Sequence, residues 1–163
     1  MKTAYKKAVV ATMLALSTVL ASATWANSQT KPPDHLMVLP SDLKWADVPS
    51  LPPGAKVTVI EGKLSEAGPF TIRLKFPADY QVPAHWHPTN IEHVTVISGT
   101  LNMGVGDKLD KTKSMALPVG GMGIMQPMVH HFVWTKDGAI VQVHGEGPWG
   151  ITYVNPTDDP RKK

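Results

Sequence analysis

The sequence predicts an all-β domain, an antiparallel barrel or sandwich with a proline-rich N-terminal arm, and three observations predict it. From residue 56 onward, short runs rich in β-branched residues alternate apolar with polar positions. Gly, Pro or Asn punctuates the runs. Nothing there keeps a helical period, and only Asp107 to Ser114 is suited to a helical turn. Many short strands with tight connections belong to antiparallel all-β architecture and not to an α/β fold.

The chain has 163 residues, enough for one domain, so every motif shares a single core. Residues 1–26 read as a secretory signal peptide. Lys2, Lys6 and Lys7 precede a weakly apolar run from Ala8 to Ala23, and small residues follow in Ala21-Ser22-Ala23 and Thr24-Trp25-Ala26. Thr12, Ser17, Thr18 and Ser22 interrupt a run already short for a bilayer span. Cleavage after Ala26 is expected, with Ala23 as the second site, giving a periplasmic or secreted product that has no membrane attachment.

Residues 27–50 read as an extended arm. Together with the approach to the first strand they hold Pro32, Pro33, Pro40, Pro49, Pro52 and Pro53, a density that excludes a helix. Leu36, Val38, Leu43 and Trp45 are its expected anchors. The barrel is expected over residues 51–154, with strands near 56–61, 69–76, 84–87, 91–98, 100–105, 115–118, 122–126, 130–135, 139–144 and 150–154. Residues 155–163 form a polar tail expected to fray.

The formal charge of +3 comes from the leader, since the rest of the chain carries 13 basic against 13 acidic side chains. A near-neutral product has no net basic face for nucleic acid or an anionic membrane. There is no cysteine, so neither a disulfide framework nor a thiolate metal site exists, and ligands must come from His, Asp, Glu or Met.

The informative segment runs from Pro83 to Gly99. Alternate strand residues share a face, so His85 and His87 point one way and Trp86 the other. Pro88, Thr89 and Asn90 supply a turn that brings Glu92 opposite the two imidazoles. Two imidazoles and a carboxylate with open positions suit one divalent transition metal: Fe, Mn, Ni, Zn, Co or Cu. A further ligand is expected from His130 or His131, which follow a glycine-rich turn at Gly120, Gly121 and Gly123. Adjacent strand residues face opposite ways, so only one of the two can ligate.

At these residues the chain resembles the cupin superfamily, and in particular its single-barrel exported members. The first motif of that family has two histidines one residue apart, then a glutamate and a glycine; His85, His87, Glu92 and Gly99 match at every position. The second motif reads proline, small residue, glycine, two variable residues, then a histidine before an aromatic. His131 before Phe132 fills the histidine position, while Gln126-Pro127-Met128 stands where proline, small residue and glycine are usual. The resemblance runs from about Trp45 to Tyr153. It implies a jelly-roll barrel, commonly a homodimer, holding the metal on His85, His87, Glu92 and His131 inside one open end.

It further implies a metal-dependent oxidoreductase, dioxygenase-like, acting on a small organic molecule, with Glu92 as the candidate catalytic base. A metal-dependent isomerase or lyase, and a non-catalytic barrel that binds a metal or small molecule, are the competing classes. His35, His93 and His144 are expected as hydrogen-bonded core residues. Met103, Met115, Met122, Met125 and Met128 are expected as flexible wall and pocket residues, not copper ligands. Arg73 is expected on an outer face, and Trp86, Trp134 and Trp149 are candidates for an aromatic wall.

Overall fold

The computed structural model describes residues 35–163. The expected signal peptide over 1–26 and the first arm residues, 27–34, lie outside them. Among the described residues no helix is long and apolar enough to cross a membrane.

Two antiparallel sheets face each other in a jelly-roll arrangement. The strands are β1 (Ala46–Asp47), β2 (Lys56–Glu61), β3 (Gly68–Phe76), β4 (Gln81–Trp86), β5 (Glu92–Gly99), β6 (Leu101–Val105), β7 (Ser114–Leu117), β8 (Met122–Met125), β9 (His131–Trp134), β10 (Ala139–Gly147) and β11 (Thr152–Tyr153). One sheet runs β1-β2-β3-β10-β5-β8 and the other β11-β4-β9-β6-β7. The expected helical turn is a single 3-10 turn at Lys111–Lys113, where the Asp110 side chain accepts from the Thr112 amide.

Alternation builds the core between the sheets. Phe70, Ile72, Leu74 and Phe76 of β3 point inward with Val94 and Val96 of β5 and Val141 and Val143 of β10. Val82, Leu101, Met103 and Val133 meet them from the other sheet. Each fully buried side chain of this kind stabilises by about 1.5–3 kcal/mol.

One hairpin shows why its glycine is needed. Gly99, at the β5–β6 turn, has φ +74°, and a Cβ there would stand 2.2 Å from the Gly138 carbonyl oxygen. Only a residue without a side chain fits both conditions.

The described part of the arm is extended apart from a 3-10 turn at Pro40–Asp42, and β1 adds it to the edge of β2. Leu43 and Trp45 are half-buried, Leu36 is exposed, and it is Leu51 that enters the core, with Val48 packed against it. The tail does not fray. Asp159 is buried and takes two bonds from the Arg161 guanidinium, at 2.7 and 2.9 Å, while a further Arg161 N–H donates to the Ile151 carbonyl at 3.0 Å. A polar sequence was ordered by pairing its own charges and anchoring the pair to the backbone just before β11.

Candidate metal centre

Four side chains from both sheets converge at one end of the core. His85 lies one residue before the end of β4, His87 just beyond it, His131 opens β9 and Glu92 opens β5. His85 and His131 are register partners across the β4–β9 ladder. That ladder shifts register between Val82 and His85, around Pro83, which has no N–H to give it. The shift moves the buried phase from Val82 to His85 and His87, so alternation holds locally at the histidines but not along the whole strand.

All four groups are buried, each no more than 5% exposed. The candidate ligand nitrogens of His85, His87 and His131 lie within 4.8 Å of one another. Glu92 Oε2 is 3.3 Å from His87 Nε2 and 3.5 Å from His131 Nε2. His130 stands apart, on the outer face, its Nδ1 2.6 Å from Asp107 Oδ1. Of the two adjacent histidines the structure therefore brings His131 to the cluster and not His130.

The backbone orients every ring. Nδ1–H of His85 donates to the Pro83 carbonyl at 2.8 Å, that of His87 to Gly150 at 2.7 Å and that of His131 to Val129 at 2.9 Å. Each bond commits the Nδ1 proton and turns the Nε2 lone pair inward, the tautomer a metal ligand needs. Nε2 of His87 and of His131 is enclosed without a hydrogen-bond partner, although a carboxylate oxygen stands beside each. A neutral imidazole would face the buried carboxylate with its Nε2 lone pair, and a proton on Nε2 or a shared metal ion removes that repulsion. Three buried histidines could hold a metal ion, and their donor set with Glu92 fits one.

The electrostatics point the same way. Burial, then the neighbouring His131 and His87, pulls His85 down to about 3, so it stays neutral. Burial pushes Glu92 upward, but the charge of His87 and contacts with His131 and His87 outweigh it and hold the carboxyl below the usual carboxylate range. Burial also depresses His87, yet the Glu92 charge prevails and raises it. The cluster thus keeps its carboxylate ionised and draws positive charge toward it.

The cavity beside the cluster is small and apolar, with about 30 Å³ of water-reachable space, enough for one or two water molecules. Its walls include Leu74, Phe76, Val94, Met103, Val133 and Trp149, and among the described residues no lysine or arginine lines it. Trp149 stacks on His87 with ring centroids 5.2 Å apart and 20° between planes, and its Nε1–H is buried without a partner. Trp86 and Trp134 are not part of that wall. Trp86 packs 6.3 Å from the His130 ring, and Trp134 donates Nε1–H to Ser114 Oγ at 3.0 Å beneath the Lys111 ammonium.

Other sequence expectations are corrected. His35 is exposed, and His93 and His144 are half-buried; neither His93 Nδ1 nor His144 Nδ1 has a partner, so none is a hydrogen-bonded core residue. Of the methionines, Met103 is in the core, Met125 packs on it, and Met115 and Met122, 71 and 47% exposed on the edge strands β7 and β8, line an open groove with them as expected, whereas Met128 is 56% exposed in the loop after β8. Met128 also has φ +66°. Its N–H donates to the His87 carbonyl at 2.9 Å, so the backbone keeps the left-handed turn of the second motif where the glycine itself is missing. Arg73 lies on the outer face as expected, bonded to Gln142 at 3.2 Å.

The chain matches no protein-family model, and no curated protein matches its sequence. Solved structures do resemble it. The polyketide cyclase RemF from Streptomyces resistomycificus superposes with a TM-score of 0.63 at 12% identity, over 78% of this chain and 91% of that one. KdgF from a Halomonas species gives 0.56 at 13% identity, over 69% and 93%. A recombinant oxalate oxidase in complex with glycolate gives 0.50 at 26% identity, over 67% of this chain and 59% of the other. With the two facing sheets, these likenesses show a cupin-type fold, and an RmlC-like cupin from Shewanella frigidimarina is among the similar structures, with a TM-score of 0.53 at 13% identity over 69% of this chain and 90% of that one.

Proposed function

We propose that this cupin is an exported metal-dependent oxidoreductase acting on a very small organic molecule, with His85, His87, Glu92 and His131 holding one divalent transition metal. The observation that supports it most is the enclosed, partnerless Nε2 of His87 and of His131 on either side of a buried carboxylate. A bound ion would supply a Lewis acid and, if redox-active, an electron route between substrate and dioxygen. The chain's own residues do the rest. Pro83, Val129 and Gly150 carbonyls hold the rings, the apolar walls exclude bulk water, and Glu92 is placed to take a proton from a substrate at the cluster.

The likeness to oxalate oxidase, at 26% identity, favours oxidation over isomerase or lyase chemistry. Among the described residues no lysine or arginine lines the cavity, so an acidic substrate would find its counter-charge at the ligand cluster alone. Export is part of the same reading, on the leader-like layout of residues 1–26. The test is metal analysis of the protein from its native host, with oxygen uptake on phenolic and small dicarboxylic compounds. Turnover with one metal that His87→Ala abolishes is the expected result.

A second reading has one observation in its favour: the water-reachable space beside the cluster is only about 30 Å³. A barrel that binds the ion without turnover would show full metal occupancy and no oxygen uptake with any metal or compound.

A further inference from the structure

The outer face of the six-stranded sheet carries a second pair of imidazoles. His93 on β5 and His144 on β10 are cross-strand partners in register. Their rings lie 4.8 Å apart between centroids and 10° from parallel. Nδ1 of each ring is enclosed and has no hydrogen-bond partner. Leaving a buried donor or acceptor unmade costs about 1–3 kcal/mol, and two side by side call for an explanation.

Both rings line an open groove of about 700 Å³, together with Thr71, Asn90, Gln126 and Glu146. Glu146 lies two residues beyond His144 on β10, on the same face. The groove is separate from the buried cluster, since alternation along β5 sends Glu92 inward and His93 outward.

Two parallel imidazoles on neighbouring strands can close on one ion. Metal–imidazole bonds of about 2.0 Å require nitrogens about 3 Å apart with converging lone pairs, so the two stacked rings would turn toward each other to share an ion. A half-turn of either ring about Cβ–Cγ also exchanges Nδ1 with the carbon on its other edge. Imidazole pairs with a nearby carboxylate suit borderline ions, and Cu(II) binds most tightly among first-row divalent metals.

We propose that His93 and His144 form a second metal site on the outside of the barrel, binding one Cu(II)-like divalent ion, with water completing its shell. The inference does not depend on the buried cluster binding a metal.

The test is equilibrium dialysis of the full-length protein against Cu(II), with copper counted per chain, for the wild type, His144→Ala, His87→Ala and the double variant. His144→Ala should lose one equivalent or bind it at least tenfold more weakly, and it should keep whatever equivalent His87→Ala removes. His93→Gln provides a second variant should His144→Ala unfold. The copper lost should show nitrogen hyperfine structure from two imidazoles in its electron paramagnetic resonance spectrum. Copper content and half-saturation unchanged within twofold in both outer-face variants would overturn the site. If only the His87→Ala equivalent is missing, the buried cluster is the sole copper site; if only the His144→Ala equivalent is seen, the outer site stands and the buried reading falls.

Discussion

His87 and Glu92 face each other at 3.3 Å, Nε2 to Oε2, while the other nitrogen of His87 is already committed to the Gly150 carbonyl. An ion between them relieves that opposition, so metal should stabilise the fold. At a free ion concentration a hundredfold above Kd the gain is about 2.7 kcal/mol, or roughly 10 °C in Tm. Differential scanning calorimetry with and without added metal should show that rise in the wild type and none in His87→Ala or Glu92→Ala. A rise that survives both substitutions would contradict the assignment.

The two adjacent histidines should separate cleanly. His131→Ala is expected to abolish uptake at the buried cluster, whereas His130→Ala, which removes only a surface pair with Asp107, should leave it within about twofold. Metal content after chelation and reloading measures both, and equal loss from the two would be the contrary result.

Acid should weaken the metal-free protein through His85. Its folded pKa is pulled down to about 3 from an ordinary 6.5, so between these values the unfolded chain takes a proton that the folded chain refuses. The stability this withholds is intact above pH 6.5 and is lost as pH falls toward 3. His87, raised by Glu92, adds the opposite slope only above 6.5. Urea midpoints of chelator-treated protein at pH 7, 6, 5 and 4 should fall progressively, and more shallowly for His85→Gln.

Two left-handed positions should respond with opposite sign. Gly99→Ala forces a side chain against the Gly138 carbonyl and should cost about 3 kcal/mol. Met128→Gly removes strain of about 1–2 kcal/mol, offset by about 0.5–1 kcal/mol of added freedom in the unfolded chain, for a net gain below about 1.5 kcal/mol. Denaturant unfolding of both variants checks the pair, and a destabilised Met128→Gly would show that its side chain contributes more than its backbone costs.

Trp149 should act through His87. Trp149→Ala is expected to weaken metal binding by about tenfold, with Trp149→Phe recovering most of it because a ring is restored against the imidazole. A competition assay with a coloured chelator reads the difference; identical affinities for the two variants would remove the tryptophan from the site.

Much of this arrangement was legible in the residues. Period-two alternation placed the strands, since most inward residues of β3, β5 and β10 are apolar and most of their neighbours are polar. The histidine and glutamate spacing marked the convergence of His85, His87 and Glu92, and the aromatic after His131 separated it from His130. What could not be read was long-range. His93 and His144 are 51 positions apart, and only the β5–β10 register stacks them. Trp149 reaches His87 by a loop with no periodicity, and a bare composition of charges at 155–163 says nothing of Arg161 finding the Ile151 carbonyl.

Nδ1 of every imidazole in the buried cluster is held by a peptide oxygen and none by a side chain. Peptide oxygens are common to all twenty amino acids, so replacing Val129 or Gly150 need not disturb the aim of the imidazole it supports. A lineage can therefore rewrite nearly all of its barrel while the donors keep their bearing. Inheritance at such a centre is carried by the path of the main chain, which a comparison of letters does not record.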